Sequence, residues 1–133
     1  ALEFLGLLYD VSTTILVFNH VSHHENRALV KRLAIRLVRY DDSFDPTPFR
    51  AYSVVDSQRP QTAIDADLHA ANVKFLAFID HHREDQTNPP AAAFVDVREH
   101  VSSTAAIACE YLQAAFPRGL RNARRISPHH PGR

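Results

Sequence analysis

The chain contains a single cysteine, Cys109, among its 133 residues. One thiol excludes an internal disulfide and a structural zinc site built on cysteine pairs, so a reducing, cytoplasmic setting is expected. Cys109 itself is predicted to be a small buried residue on a helix. The sequence also lacks an uninterrupted apolar run of about 20 residues, and its apolar N-terminus carries Glu3 and Asp10. We therefore predict neither a signal peptide nor a membrane helix.

Acidic residues are absent after residue 117, a segment that holds five of the fifteen Lys and Arg residues. The body of the chain is therefore acidic and its tail basic, although the overall net charge is zero. An acidic body argues against nucleic-acid binding that depends mainly on phosphate neutralisation, because that mode needs clustered Lys and Arg on the folded surface. It suits a protein that binds cations. We predict one domain over residues 1–117 and a loosely ordered basic tail over residues 118–133.

Short apolar runs of strand length alternate with segments of helical periodicity. The last three runs are almost continuously apolar, and the connections between them are long enough for a helix or crossover. This pattern is typical of a mainly parallel sheet that is covered on both faces. The predicted fold class is therefore α/β, with a mainly parallel, doubly wound sheet and flanking helices. Strands are predicted in segments 13–18, 35–40, 51–56, 74–80 and 92–97, and helices in segments 1–10, 24–34 and 102–116. A further helix is predicted to begin within residues 65–69, where acids are favoured in a first turn.

The last predicted helix begins in the serine-rich stretch "SSTAAIACEYLQAAF". Either Ser102 or Ser103 can cap its N-terminus, because a serine oxygen accepts a hydrogen bond from a free backbone N–H of the first turn. The helical spacing predicts which residues face the sheet: Ala105, Ala108, Cys109 and Leu112.

Three aspartates fall at or next to the carboxyl ends of the last three predicted strands: Asp56, Asp80 and Asp96. In an open α/β sheet, ligands bind in the crevice beyond those strand ends. Asp80 is followed directly by His81 and His82. We therefore expect the three carboxylates to converge in an acidic crevice together with the two imidazoles.

Carboxylate oxygens and neutral imidazole form a mixed ligand set that suits manganese, magnesium, iron or zinc. Two adjacent histidines leaving a strand point in different directions, so one can bind a metal while the other faces a substrate. The second can donate a hydrogen bond or carry a proton, since the ordinary pKa of histidine is about 6.5. Two metal ions roughly 3.5–4 Å apart could share a carboxylate and neutralise a phosphoryl group. The pattern favours metal-assisted phosphoester hydrolysis.

Four ordered blocks carry a resemblance to a known family. They are "HVSHHENRALVKRLAIRLVRYDD" (20–42), "VVDSQ" (54–58), "FIDHH" (78–82) and "FVDVREHVSSTAAIACEYL" (94–112). In this order and in this strand context they resemble consecutive blocks of the DHH phosphoesterase family, which is named for its Asp-His-His motif. The similarity covers the chain from its N-terminus to about residue 117.

The resemblance implies roles for four residues. Asp56 matches the second-motif aspartate that bridges two metal ions, usually Mn²⁺, with Mg²⁺ as a further possibility. His81 matches the metal-binding first histidine of the name motif, and His82 matches the second histidine, which lies at the substrate phosphate. Asp80 matches the aspartate of the motif and is expected to orient the site. Asp80, His81 and His82 are therefore the predicted catalytic residues.

The resemblance also implies contacts to the substrate outside the name motif. Ser102, Ser103 and Thr104 match a hydroxyl-rich helix start, whose hydroxyls and backbone N–H groups could support a phosphate or the Asp-His-His loop, with Ser103 and Thr104 as the predicted substrate contacts. Arg98 could contact an anion, and the alternative of an arginine that is simply exposed on the surface has equal weight. The implied substrates are short oligonucleotides, cyclic dinucleotides or small nucleotides.

The chain departs from the family at both ends. The first metal motif of the family precedes the segment where this chain begins, and the aspartate of its fourth motif has no counterpart after the last helix. We therefore expect residues 1–117 to be a partial catalytic domain with an incomplete two-metal site and reduced activity. The alternative is a non-catalytic remnant, or a module that binds a metal or a nucleotide.

A second histidine cluster lies in "HVSHHE", where His20 and His24 are four residues apart. That spacing would suit a metal if both residues lay on one helix. The segment is where a strand passes into a helix, so a surface loop followed by a helix start is the favoured interpretation.

Overall fold

The computed structural model describes residues 2–57, 62–83 and 90–117, so the tail predicted at 118–133 lies outside the described residues. The described residues fall into two compact units, which divide between residues 44 and 45. Helices and strands alternate along residues 2–44, whereas β5 is the next described element after β4 in residues 45–117. In this part of the chain, no helix combines the length and apolar character that a membrane crossing requires.

The unit formed by residues 2–44 contains two helices and a two-stranded parallel sheet. Its elements are α1 (Leu2–Leu8), β1 (Ile15–Val17), α2 (His24–Arg32) and β2 (Leu37–Arg39). Ile15 pairs with Leu37 and Val17 with Arg39. Because α2 connects two parallel strands, this segment is a β-α-β unit in which both strands end at the same edge of the sheet.

The unit formed by residues 45–117 contains a three-stranded parallel sheet and two helices. Its elements are β3 (Ala51–Val55), α3 (Thr62–Ala70), β4 (Lys74–Asp80), β5 (Phe94–Val97) and α4 (Thr104–Ala115), with the strands in the order β3-β4-β5. All pairings in both sheets are parallel. The predicted mixed α/β class with parallel strands is therefore confirmed, and the strands divide between sheets of two and three.

The central strand β4 is the most buried element of the described chain. Phe78 and Ile79 are both only 3% exposed. Consecutive residues of a strand point to opposite faces, so both faces of β4 are covered over its last three residues. Leu76, in the first half of the strand, is 52% exposed, so the predicted cover on both faces holds only at the carboxyl end of β4. Burying each of these side chains contributes roughly 1.5–3 kcal/mol to stability. The other buried apolar residues lie around α3 and on α4: Ile64, Leu68, Val73 and Ile107.

Helix α4 buries a different face from the one predicted. Thr104 and Ile107 are its buried residues, whereas Ala105 and Cys109 are exposed. The predictions of a buried Cys109 and of a buried Ala105 are therefore wrong. The helix is rotated by about one residue from the expected orientation, because Ile107 offers more apolar surface to bury than the alanines beside it.

Ser103 is the residue that caps α4. Its side-chain oxygen accepts a hydrogen bond from the backbone N–H of Ala106 at 3.2 Å, and its backbone is extended, with φ −167° and ψ 152°. Ser102 is exposed and precedes the cap. The structure thus decides between the two serines that the sequence left open.

We expect Ser103→Ala to lower the free energy of unfolding by about 1 kcal/mol, because the first turn of α4 loses its side-chain acceptor. Ser102→Ala is the matched control and should change stability by less than about 0.5 kcal/mol. Urea denaturation followed by circular dichroism measures both variants. Equal effects of the two substitutions would contradict the assignment of the cap.

Candidate metal centre

The register of the three-stranded sheet brings Asp56 beside Asp80. Val55 pairs with Ile79, and the backbone N–H of Asp56 then donates to the carbonyl oxygen of Ile79 at 3.0 Å. Asp56 has φ 58°, in the left-handed region that Asp tolerates better than most side chains. This conformation ends strand β3 directly at the carboxyl edge of the sheet, where ligand sites form.

Four side chains at this edge each offer one atom to a common centre: Asp56, Asp80, His81 and His82. The four atoms all lie within 4.8 Å of one another. The side chain of Asp80 is 2% exposed, that of His81 25%, that of His82 47% and that of Asp56 62%. The cluster therefore has a buried base and an open rim, and it unites every residue predicted to bind metal or to take part in catalysis.

Asp80 forms the base of the cluster through hydrogen bonds to the two histidines that follow it. Its Oδ1 accepts from the backbone N–H of His81 at 2.8 Å and lies 2.8 Å from Nδ1 of His82. Burial raises the pKa of the Asp80 carboxyl, but the hydrogen bonds from His82 and from the backbone N–H groups of both histidines outweigh burial. The net result is a pKa below the usual value. Asp80 is therefore an ionised acceptor that orients its neighbours.

The contact between Asp80 and His82 sets the tautomer of the imidazole. An ionised carboxylate only accepts hydrogen bonds, so Nδ1 of His82 carries the proton in this contact. The other ring nitrogen, Nε2, takes no part in the bond to Asp80. Since about half of the His82 side chain is exposed, this second nitrogen is the one that remains to meet a ligand.

Thr104 links the two aspartates and His81 to the start of α4. It is 6% exposed, and its hydroxyl donates to Oδ1 of Asp56 at 2.9 Å. Nδ1 of His81 lies 3.0 Å from the same hydroxyl and 3.2 Å from Oδ1 of Asp56. Because the atoms around Nδ1 are oxygens that accept, this nitrogen is a donor in the metal-free protein. The hydroxyl of Thr104, predicted to contact a phosphate, is here engaged within the cluster.

Asp96 does not join the other two strand-end aspartates. It pairs with Ile79, one position before Asp80, and adjacent positions of a strand alternate between the two faces. Its carboxylate instead accepts hydrogen bonds from Nε and Nη2 of Arg98, each at 2.8 Å. The predicted convergence therefore holds for Asp56 and Asp80 but not for Asp96.

Arg98 is held by two carboxylates on the side of the sheet that Asp96 occupies. Its Nη1 donates to Glu110, while Tyr111 donates from its hydroxyl to Asp96. The bonds from Arg98 keep the pKa of Asp96 below its usual range, and burial together with the bond to Asp96 raises the pKa of Tyr111 to about 12. Nε, Nη1 and Nη2 of the guanidinium therefore each donate to a carboxylate. No local signal in the sequence connects Arg98 with Glu110 or Tyr111.

The histidines of the "HVSHHE" segment follow the favoured interpretation of a loop and helix start. His20 precedes α2 and contacts Arg39, whose Nη1 lies 3.2 Å from its Nε2. His24 is the first residue of α2, and its Nε2 lies 3.7 Å from Oε1 of Glu25. The two histidines therefore do not share a helical face.

Comparison with known proteins gives one relative of unassigned function. The chain is 28% identical over 112 residues to the uncharacterized protein MJ1633 of Methanocaldococcus jannaschii. The alignment covers 84% of this chain but only 22% of that protein. No family model and no solved structure matches the chain. Membership of the DHH family therefore stays a prediction.

We expect Asp80→Asn to change how stability depends on pH. Because the folded-state pKa of Asp80 is lowered, its contribution is present above the ordinary aspartate pKa of about 3.9 and is lost as the pH falls through the folded-state value. The difference in unfolding free energy between wild type and Asp80→Asn should therefore shrink on acidification. Denaturation curves between pH 7 and pH 3 measure this difference. Asp42→Asn, in an exposed loop, is the control, and a pH-independent difference for Asp80→Asn would contradict the prediction.

We expect Thr104→Val to lower the free energy of unfolding by about 1–3 kcal/mol, because it removes the hydroxyl that satisfies Asp56 and His81 while keeping the side-chain volume. Thr104→Ser retains the hydroxyl and should lose clearly less. Chemical denaturation in metal-free buffer compares the two. A loss in Thr104→Val no larger than that in Thr104→Ser would contradict the leading role given to the hydroxyl.

Proposed function

We propose that the chain is part of a metal-dependent phosphoesterase of the DHH type, which acts on short oligonucleotides, cyclic dinucleotides or small nucleotides. The observation that carries the proposal is the cluster of Asp56, His81 and His82 around the buried Asp80, at the carboxyl edge of a parallel sheet. A cytoplasmic setting belongs to the same proposal and rests on the lone cysteine.

The donor set of the cluster fits a divalent cation. Asp56 offers an exposed carboxylate, and Nδ1 of His81 lies 3.2 Å from its Oδ1 and would release its proton to bind an ion. Oxygen and nitrogen donors without thiolate suit manganese, magnesium, iron or zinc. Among these, the resemblance to the DHH family favours Mn²⁺, with Mg²⁺ as the alternative. Asp56 and His81 would hold the ion. When bound, such an ion supplies charge neutralisation at the phosphoryl group and a water of lowered pKa.

The remaining residues would act on the substrate and on the ligands. His82 would meet the substrate with Nε2, as a hydrogen-bond donor to a phosphate oxygen where both ring nitrogens carry a proton, or as the acceptor of a proton where only Nδ1 does. Asp80 would keep the ring of His82 in the required orientation through the bond to Nδ1. Thr104 would hold Asp56 and His81 at a fixed separation before the ion arrives. The resulting site is arranged in advance of binding, which reduces the cost of reorganisation.

The second candidate function is a metal-binding module without hydrolytic activity. It is favoured by the state of Asp80, whose carboxylate is 2% exposed and already bonded to both histidines. Asp56, His81 and His82 are then the ligands most accessible to an ion, and a two-metal site needs more ligands than these three. The chain spans about a fifth of the length of the relative it matches, so further ligands can come from other segments of a longer protein.

Mn²⁺ binding tests the proposal at the level of this chain. Electron paramagnetic resonance of free Mn²⁺ gives the affinity, and we expect Asp56→Asn and His81→Ala each to weaken binding at least tenfold. His100→Ala, at an exposed histidine beyond β5, is the matched control and should leave the affinity unchanged. Unchanged Mn²⁺ affinity in both cluster variants would contradict the assignment of Asp56 and His81 as metal ligands.

Hydrolysis of a short oligonucleotide distinguishes the two candidate functions. The enzyme hypothesis expects Mn²⁺-dependent release of mononucleotides, and a loss of about 10²–10⁴-fold in His82→Ala with Mn²⁺ affinity retained. Mn²⁺ binding without any turnover, in this chain and in a longer parent chain, would support the module instead.

A further inference from the structure

The unit formed by residues 2–44 contains a groove with a concentration of positive charge. Its volume is about 370 Å³, and it is lined by His20, Val21, Arg27, Val30 and Lys31. A volume of this size lies at the lower end of the range for small-molecule sites, roughly 300–1,000 Å³. Among the described residues that line it, no side chain is acidic. This is an exception to the acidic character of the chain's body.

The cations of the groove come from successive elements of the β-α-β unit. Arg27 and Lys31 are four residues apart on α2, so they lie one above the other on the same helical face, with Val30 between them. His20 lies in the connection that leaves the carboxyl end of β1. Glu25, the acid of the same helix, falls on another face and lies 3.7 Å from His24. The positive side chains are therefore not neutralised by the acid nearest to them in sequence.

Arg39 adds a further positive charge behind His20 and sets its tautomer. A guanidinium only donates hydrogen bonds, so Nε2 of His20 accepts from Nη1 of Arg39 over 3.2 Å. The proton of the neutral imidazole is then on Nδ1, which can donate to an anion. Arg39 is the last residue of β2 and pairs with Val17 at the end of β1. His20 and Val21 thus place one end of the groove beyond the carboxyl end of β1, where α/β units bind ligands, and the groove continues along α2 to Lys31 in its last turn.

From this arrangement we infer that the groove binds a small phosphate ester: Arg27, Lys31 and Nδ1 of His20 contact the phosphate, and Val21 and Val30 contact the organic group. Guanidinium and ammonium groups form charge-assisted hydrogen bonds to phosphate oxygens. The two valines offer the apolar wall that an inorganic anion would not need. The inference does not depend on phosphoester hydrolysis at the cluster around Asp80.

Titration of the ¹⁵N-labelled chain tests this inference, with EDTA present so that no metal contributes. The two probes are inorganic phosphate and 5′-AMP, at a constant chloride concentration because exposed charges are screened by salt. We expect saturable amide shifts centred on His20, Arg27 and Lys31, with 5′-AMP binding more tightly than phosphate. Absence of saturable shifts there, or equal affinity for the two probes, overturns the inference.

Neutralising variants identify the cations that bind. The double variant Arg27→Gln with Lys31→Gln should weaken 5′-AMP binding about tenfold. Arg32→Gln is the matched control, since Arg32 is exposed, adjacent to Lys31 and outside the groove lining. Asp56→Asn should also leave 5′-AMP binding in the groove unchanged, which separates this site from the metal cluster. An effect of Arg32→Gln as large as that of the double variant would show general charge attraction and overturn the site.

Discussion

The hydrogen bonds of one buried carboxylate organise the candidate centre. Asp80 ends the most buried strand of the described chain, and it is itself 1% exposed. An unpaired ionised carboxylate in such a place would be strongly destabilising. The backbone N–H groups and the imidazole that follow it compensate that cost, and in doing so they fix where His81 and His82 lie. The hydrogen bonds that stabilise the buried carboxylate of Asp80 are therefore the same bonds that position the two histidines of the candidate site.

The open side of the centre depends on contacts between segments far apart in the chain. Asp56 reaches His81 because β3 and β4 pair in parallel, and Thr104 reaches Asp56 across 48 positions of sequence. The N-terminus of α4 is placed by the burial of Ile107 and by the cap at Ser103. A change in register of one residue would move Asp80 to the other face of the sheet. The ligand set thus depends on correct strand pairing as much as on the residues themselves.

The two described units use the same physical arrangement for opposite charges. Each places polar side chains at the carboxyl ends of parallel strands, where backbone groups and loops leave room for a ligand. In one unit these side chains are carboxylates and imidazoles that suit a cation. In the other unit His20 lies at this edge, and Arg27 and Lys31 of α2 continue the groove with charges that suit a phosphate. The acidic average of the chain's body conceals the basic groove, because composition does not record which charges lie together.

Much of the local structure follows from the order of residues. Apolar runs and helical spacing predicted every described strand and the helices α1, α2 and α4, because periods of 2 and 3.6 residues are properties of the backbone. The contact of Asp80 with His82 could also be predicted from the sequence, since neighbours in sequence are held close by covalent geometry. The identity of the metal-binding candidates therefore depended little on the tertiary structure.

Other features were decided only by tertiary packing. Asp96 resembled Asp56 and Asp80 in sequence, but its register with Ile79 directed it to Arg98 instead. Cys109 is exposed, contrary to expectation, because Ile107 occupies the buried face of α4. The groove beside α2 is formed by side chains of a loop and of the helix, and Arg39 of β2 contacts His20. No short sequence motif contains all of these residues. Local propensities act over a few residues, whereas register, helix rotation and charge clustering depend on which distant segments meet.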